Sequence, residues 1–282
     1  MTNTFHDNLA FLYQEEISNM NIRQSIKYSS TFSFCMLITS SLAAQAEDSI
    51  PTATPYRPTV SNPATLSEPG WLEMELGWQT TKGGGDKRRT SLPFLSKLAL
   101  TEDWGILVGN ELAVRRTDFD DTHYEGYGDT TLILKHRIAT GTKGTDFGVE
   151  AGYKLPTAKD TIGSGKPDFI LNGIYSSDFS DSHLDLNLGA TRLGAIDDSD
   201  GRLQYNWGAA VSHNLNEKWG IFGELSGVYQ HNNPAQSQFM TGASYNYSNR
   251  IVFDGGVTVG LATTSQDWSI FSGVTVLLGK LW

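Results

Sequence analysis

The chain has a single cysteine, Cys35, in 282 residues. One thiol excludes an internal disulfide framework and removes the thiolate set that most structural zinc sites need. Long hydrophobic runs are also missing. The one continuous apolar stretch, 32–44, is too short and too rich in Ser and Thr for a transmembrane helix, which needs about 20 apolar residues. Proline is scarce and unevenly placed: of nine, five (Pro51, Pro55, Pro58, Pro63 and Pro69) fall within 47–69. Neither helix nor strand runs through that spacing, so the segment is expected to be irregular. Basic charge is in deficit, with 21 Lys and Arg against 31 Asp and Glu. A net charge of −10 argues against nucleic acid as a partner.

Enzyme signatures are absent too. His123, His136, His183, His213 and His231 form no metal-spaced pair, and there is no GxSxG elbow. Gly83-Gly84-Gly85, followed by Lys87, Arg88 and Arg89, lacks the strand-to-helix setting of a phosphate loop. No enzymatic activity, cofactor or metal is therefore expected.

What is present starts at the N-terminus. Arg23 and Lys27 precede the apolar stretch, and Ala44-Gln45-Ala46 puts small residues at the two positions a signal peptidase inspects. Residues 20–46 read as a signal peptide that carries Cys35 away, and 1–19, with Asp7, Glu15 and Glu16, as an extension unrelated to it. The segment 47–69 is then periplasmic or inserted in a lumen, and 70–282 is the folded body.

That body is a series of period-2 segments. In 71–81, Leu72, Met74, Leu76 and Trp78 alternate with Glu73, Glu75, Gly77 and Gln79, giving a lipid-facing and a water-facing side. Eleven more lie near 88–100, 104–116, 127–139, 146–155, 167–177, 183–193, 202–213, 219–230, 237–247, 250–261 and 268–282. Alternate connections are tight, at 101–103, 141–144, 177–181, 214–217 and 248–249. The others are mostly longer, at 82–88, 117–125, 156–166 and 194–201, with short ones at 231–236 and 263–266. The pattern predicts an all-β, transmembrane, antiparallel up-and-down barrel of about 12 strands in a bacterial outer membrane, with short periplasmic turns and longer outside loops. Its alternative is a soluble sandwich. The last segment ends on Trp282, the amphipathic, aromatic-terminated strand that a barrel-assembly machinery would read.

Trp71, Trp104, Trp219 and Trp282 fall at the predicted periplasmic ends of strands and are expected to form an aromatic girdle at the lipid boundary. Two of them sit in a repeated turn: Leu100-Thr101-Glu102-Asp103-Trp104-Gly105-Ile106 parallels Leu215-Asn216-Glu217-Lys218-Trp219-Gly220-Ile221. The alternation turns Glu73, Glu75, Glu111, Arg115, Asp129, Lys135, Arg137, Glu150, Lys154, Asp185, Glu224 and Asp254 inward as candidate pore-lining residues, with Lys97 and Asp168 beside them. At mid-depth each would cost about 2–4 kcal/mol facing lipid. Asp129, Lys135 and Arg137 share one predicted lumen face. Twelve strands enclose more than their side chains fill, so the segment 47–69 has room inside.

Several motifs together resemble one family. Tyr56-Arg57-Pro58, followed by Ser67-Glu68-Pro69-Gly70-Trp71-Leu72-Glu73-Met74-Glu75, is similar to the opening of outer-membrane "transporter" proteins linked to the MetA pathway of phenol degradation. Gly128-Asp129 with Leu132, Lys135 and Arg137 resembles their Gly-Asp strand. Leu155-Pro156-Thr157 with Gly163, Gly165 and Asp168 resembles their Pro-Thr-Gly loop, and Leu186-Asn187-Leu188-Gly189 the strand after it. The resemblance covers about 55–282. It implies a barrel passing small organic molecules, with aromatic or hydrophobic compounds as candidates, and it carries over no binding or catalytic residue. The expected function is passive diffusion through a polar lumen, with outer-membrane lipid and small solutes as partners. The alternative is a closed structural or surface-interaction barrel.

Overall fold

The computed structural model describes residues 51–159, 161–195 and 201–282. The expected extension, the signal peptide and residues 47–50 lie outside the described residues, as does the middle of the loop after 194. Thirteen strands occur among the described residues: β1 (Trp71–Gly83), β2 (Asp86–Ala99), β3 (Trp104–Thr117), β4 (His123–Gly126), β5 (Thr130–Ala139), β6 (Thr145–Leu155), β7 (Asp168–Phe179), β8 (Ser182–Arg192), β9 (Leu203–Asn214), β10 (Trp219–Gln230), β11 (Asn233–Ser248), β12 (Ile251–Gly260) and β13 (Gln266–Lys280). Twelve form the wall. The short β4 is an arm paired only to the outer part of β3. Every wall strand runs antiparallel to its neighbours, and β1 pairs with both β2 and β13, so the sheet closes on itself. Among the described residues, closure leaves the wall without an unpaired edge strand, which hydrocarbon requires.

Burial is inverted relative to a water-soluble protein. Leu171 and Leu188 are 57% and 71% exposed, whereas Glu73, Glu75 and Lys135 are 0% exposed. Apolar side chains outside and ionised ones inside is the arrangement that lipid around a polar lumen selects.

The twelve expected segments all appear, with shifted ends that have local causes. The connection expected across 82–88 is mostly strand. Gly83 and Gly84 both take positive φ (80° and 76°), and this lets the β1–β2 hairpin turn tightly and carry Lys82 and Lys87 into the ladder. On the same rim, Asn232 (φ 64°) closes a comparably tight turn and starts β11 at Asn233. On β13 the register shifts opposite Leu72 and Glu73. The shift moves Lys280 out of the Ile270–Val274–Val276–Leu278 row and places it opposite Trp71.

Two side-chain expectations are corrected by the wall. Arg115 does not line the lumen. Between Ser91↔Val114 and Pro93↔Glu111, β3 carries one residue more than β2, and this bulge reverses the alternation above it. Arg115 is consequently exposed and paired with Glu125 of β4 (Nε–Oε1 2.7 Å). Trp71 is not part of an outward girdle. It shares the parity of Glu73 and Glu75, and it is buried with Ala53, Val252 and Leu277. Trp104, Trp219 and Trp282 are exposed.

The repeated turn is repeated in atoms. Leu100 N and Leu215 N donate to the carbonyls of Trp104 and Trp219 (2.7 and 2.9 Å). Thr101 Oγ1 accepts from Asp103 N and Trp104 N; Asn216 Oδ1 accepts from Lys218 N and Trp219 N. Each Trp then packs on the aromatic residue paired with it across the ladder: Trp104 on His136 at 4.2 Å, Trp219 on Tyr245 at 4.7 Å.

Candidate functional site in the plugged lumen

Residues 51–69 thread the barrel interior. An irregular segment there must place every backbone N–H, because no helix or ladder does it. Proline at 51, 55, 58, 63 and 69 removes five donors at the outset. Several of the rest go to wall side chains. Thr54 N donates to Glu73 Oε2 (2.9 Å). Tyr56 N and Arg57 N take the two oxygens of Glu75 (2.7 and 3.0 Å). Val60 N, Ser61 N and Ser61 Oγ all donate to Glu224 (2.8, 2.7 and 2.6 Å). Asn62 N reaches Asn187 Oδ1 (3.1 Å), its Nδ2 reaches both oxygens of Glu150, and Ala64 N donates to Ser176 Oγ (2.7 Å).

The carbonyls are met by cations. Lys97 Nζ donates to Thr54 O and contacts Glu73 and Glu75 at 2.5 Å each; Lys135 Nζ donates to Pro63 O and pairs with Glu150 at 3.1 Å. The two ammonium groups lie over the Tyr56 ring, 3.9 and 4.2 Å from its centroid, and the Tyr56 hydroxyl donates to Thr65 O (2.6 Å). Two cations on one ring fix it by cation–π attraction, which gains strength away from water. Burial first, and then the carboxylates of Glu150, Glu73, Glu75 and Asp185, hold the Tyr56 phenol well above its ordinary pKa.

Of the residues expected inside, Glu73, Glu75, Lys135, Glu150, Asp185, Glu224 and Asp254 surround this segment. Asp185 accepts from Ser176 Oγ and meets His183 Nε2 (3.0 Å), whose Nδ1 meets Asp178. Asp254 pairs with Arg57. The remainder separate. Asp129 and Asp168 share Lys154 (3.4 and 2.6 Å), Arg137 pairs with Asp146 (2.9 Å), and Glu111 pairs with Arg89 (2.5 Å). Asp129, Lys135 and Arg137 thus belong to three different ion pairs rather than one cluster. Tyr56, Arg57, Ser61 and Asn62 were not among the expected site residues. The proline spacing around them was the available signal: a segment with few donors of its own can be matched by the polar side chains of a lumen wall.

Space remains on both sides of the segment. A cavity of about 290 Å³ lies between Arg57, Pro58 and Thr59 on one side and His183, Asp185, Ser212 and Asp254 on the other, and extends to Asn214 and Asn246 near the tight turns. A second, of about 110 Å³, lies on the opposite side of Val60 among Asn206, Ser226, Gln238 and Gln266.

Sequence and structure comparisons agree with this architecture. Residues 39–278 match the family described as "Putative MetA-pathway of phenol degradation". The COG4313 outer membrane channel from Pseudomonas putida F1 is similar in structure, with a TM-score of 0.58 and 13% identity over 83% of this chain and 99% of that one. The NanC porin gives a TM-score of 0.55 and 10% identity over 73% of this chain and 98% of that one. At such identity the likeness concerns the fold. Among curated proteins none matches the sequence. The chain belongs to the family of the MetA pathway of phenol degradation, as a closed twelve-stranded barrel of the outer membrane.

Proposed function

We propose that the protein is a passive channel for small organic solutes, aromatic or hydrophobic compounds among them, and that residues 51–69 are its removable plug. One observation carries this reading. The plug is held in the lumen by side-chain carboxylates, amides and ammonium groups, so it can shift without breaking a strand of the wall. The cavities on either side of Thr59 and Val60 are the two ends of the path that displacement would join. Selectivity would follow from the exposed charges and the bore, and the driving force from the gradient alone. No enzymatic step is part of this function, and recognition of β13 by the assembly machinery would deliver the barrel to the membrane.

A second reading, a sealed structural barrel, is favoured by the number of tethers on the plug. Planar-bilayer recording of the refolded full chain separates the two. Discrete conductance steps support the channel. Their absence, both in the native chain and in Glu224→Ala, supports the sealed barrel.

A further inference from the structure

The wall holds a slot shaped for a planar cation. Gly77 of β1 and Gly273 of β13 face each other across the ladder, and the Arg57 guanidinium lies over both. A Cβ on Gly77 would fall 2.2 Å from Arg57 Nη1, and one on Gly273 would fall 2.4 Å from Nε. Only a side chain-free floor lets the group lie flat there. The slot is completed by Asp254, whose oxygens are 3.4 Å from Nε and 3.3 Å from Nη2, and by the Ser272 carbonyl, 3.3 Å from Nη2. These distances exceed the ~2.7–2.9 Å of a tight charge-assisted pair, so the occupant is held loosely. Two residues along the same inward row, Thr275 is fully buried with Oγ1 unpartnered. Arg57 and Asp254 also line the 290 Å³ cavity, which gives a solute access to the slot from the end bearing the tight turns.

We propose that this slot is a binding site for guanidinium- or amidinium-bearing solutes, with Arg57 as the chain's own occupant, and that such a solute frees this end of the plug by taking its place. A planar, delocalised and weakly hydrated cation can meet the floor and the carboxylate together, whereas a compact ammonium meets only the charge. The site rests on geometry alone. Its part in transport rests on the channel reading.

The test is chemical rescue in the full chain refolded in detergent. Arg57→Ala should lower the thermal midpoint, and methylguanidinium should restore it saturably. Methylammonium should need at least about tenfold higher concentration for the same recovery. Adding Gly273→Ala to Arg57→Ala should abolish rescue by filling the floor. If that double variant loses the heat-modifiable gel mobility of a folded barrel, Arg57→Ala with Asp254→Asn takes its place and should also abolish rescue. Equal recovery by the two cations, no recovery, or recovery that survives the second substitution in a folded double variant overturns the site. Rescue without conductance steps in bilayers would leave the site standing and remove the channel, so the two failures are distinguishable.

Discussion

Glu224 is buried on β10, and its carboxylate accepts three hydrogen bonds from the plug, from Val60 N, Ser61 N and Ser61 Oγ. Glu224→Ala leaves three donors without their acceptor, two of them on the fully buried Ser61, and should cost about 3 kcal/mol, read as a lowered unfolding midpoint. Tyr56 is the second anchor. Tyr56→Phe removes only the bond to Thr65 O and should cost about 1 kcal/mol, whereas Tyr56→Ala also removes the ring between Lys97 and Lys135 and should cost about 3 kcal/mol or more. The raised phenol pKa has a definite sign in pH. Its stabilisation is complete below the unfolded value of about 10 and is lost as pH rises through the higher folded value. Tyrosinate absorbance should therefore show one phenol ionising after exposed tyrosines, together with loss of the plug. Arg115 shows where residue-level reading stops: its charge and spacing suggest a lumen position, and a single bulge two residues earlier turns it outward.

At the level of strands and turns, the alternation was legible because a wall between lipid and a polar lumen imposes it at every second position. Glu73, Glu75, Lys135 and Glu150 all follow it. Bulges and the bounds of the tight outer hairpins were not legible, since each depends on how two strands are counted against one another. The shift on β13 displaces Lys280, and the left-handed Gly83 and Gly84 convert an expected loop into a hairpin. Gly83→Ala would force a Cβ to within 2.8 Å of the Asp267 backbone at a positive φ, and should cost about 1–2 kcal/mol in thermal unfolding. The repeated turn gives a paired test. Thr101→Ala and Asn216→Ala each remove a side-chain oxygen that accepts from two backbone N–H groups. Each should lower stability by about 1 kcal/mol, and the double variant by about the sum, because the turns lie on separate hairpins.

For the whole molecule, sequence periodicity and loop spacing located the barrel. They could place the proline-rich segment only as periplasmic or inserted. Its contacts join Ser61 to Glu224 and Asn62 to Asn187, residues far apart in the chain, and no local pattern encodes such pairings. On the channel proposal, this segment closes the bore and can move. Locking it in place separates a movable plug from a fixed one. A Cβ on Gly208 would stand 3.5 Å from the Ser61 Cβ, within disulfide range, and the only native cysteine, Cys35, lies upstream of the proposed cleavage site. The measurement is single-channel conductance of the Ser61→Cys, Gly208→Cys variant, lacking residues 1–46, before and after reductant. A silent barrel is expected while the disulfide is intact, and discrete steps once it is reduced. Identical conductance in the two states, with the bond shown to have formed, would overturn the movable plug.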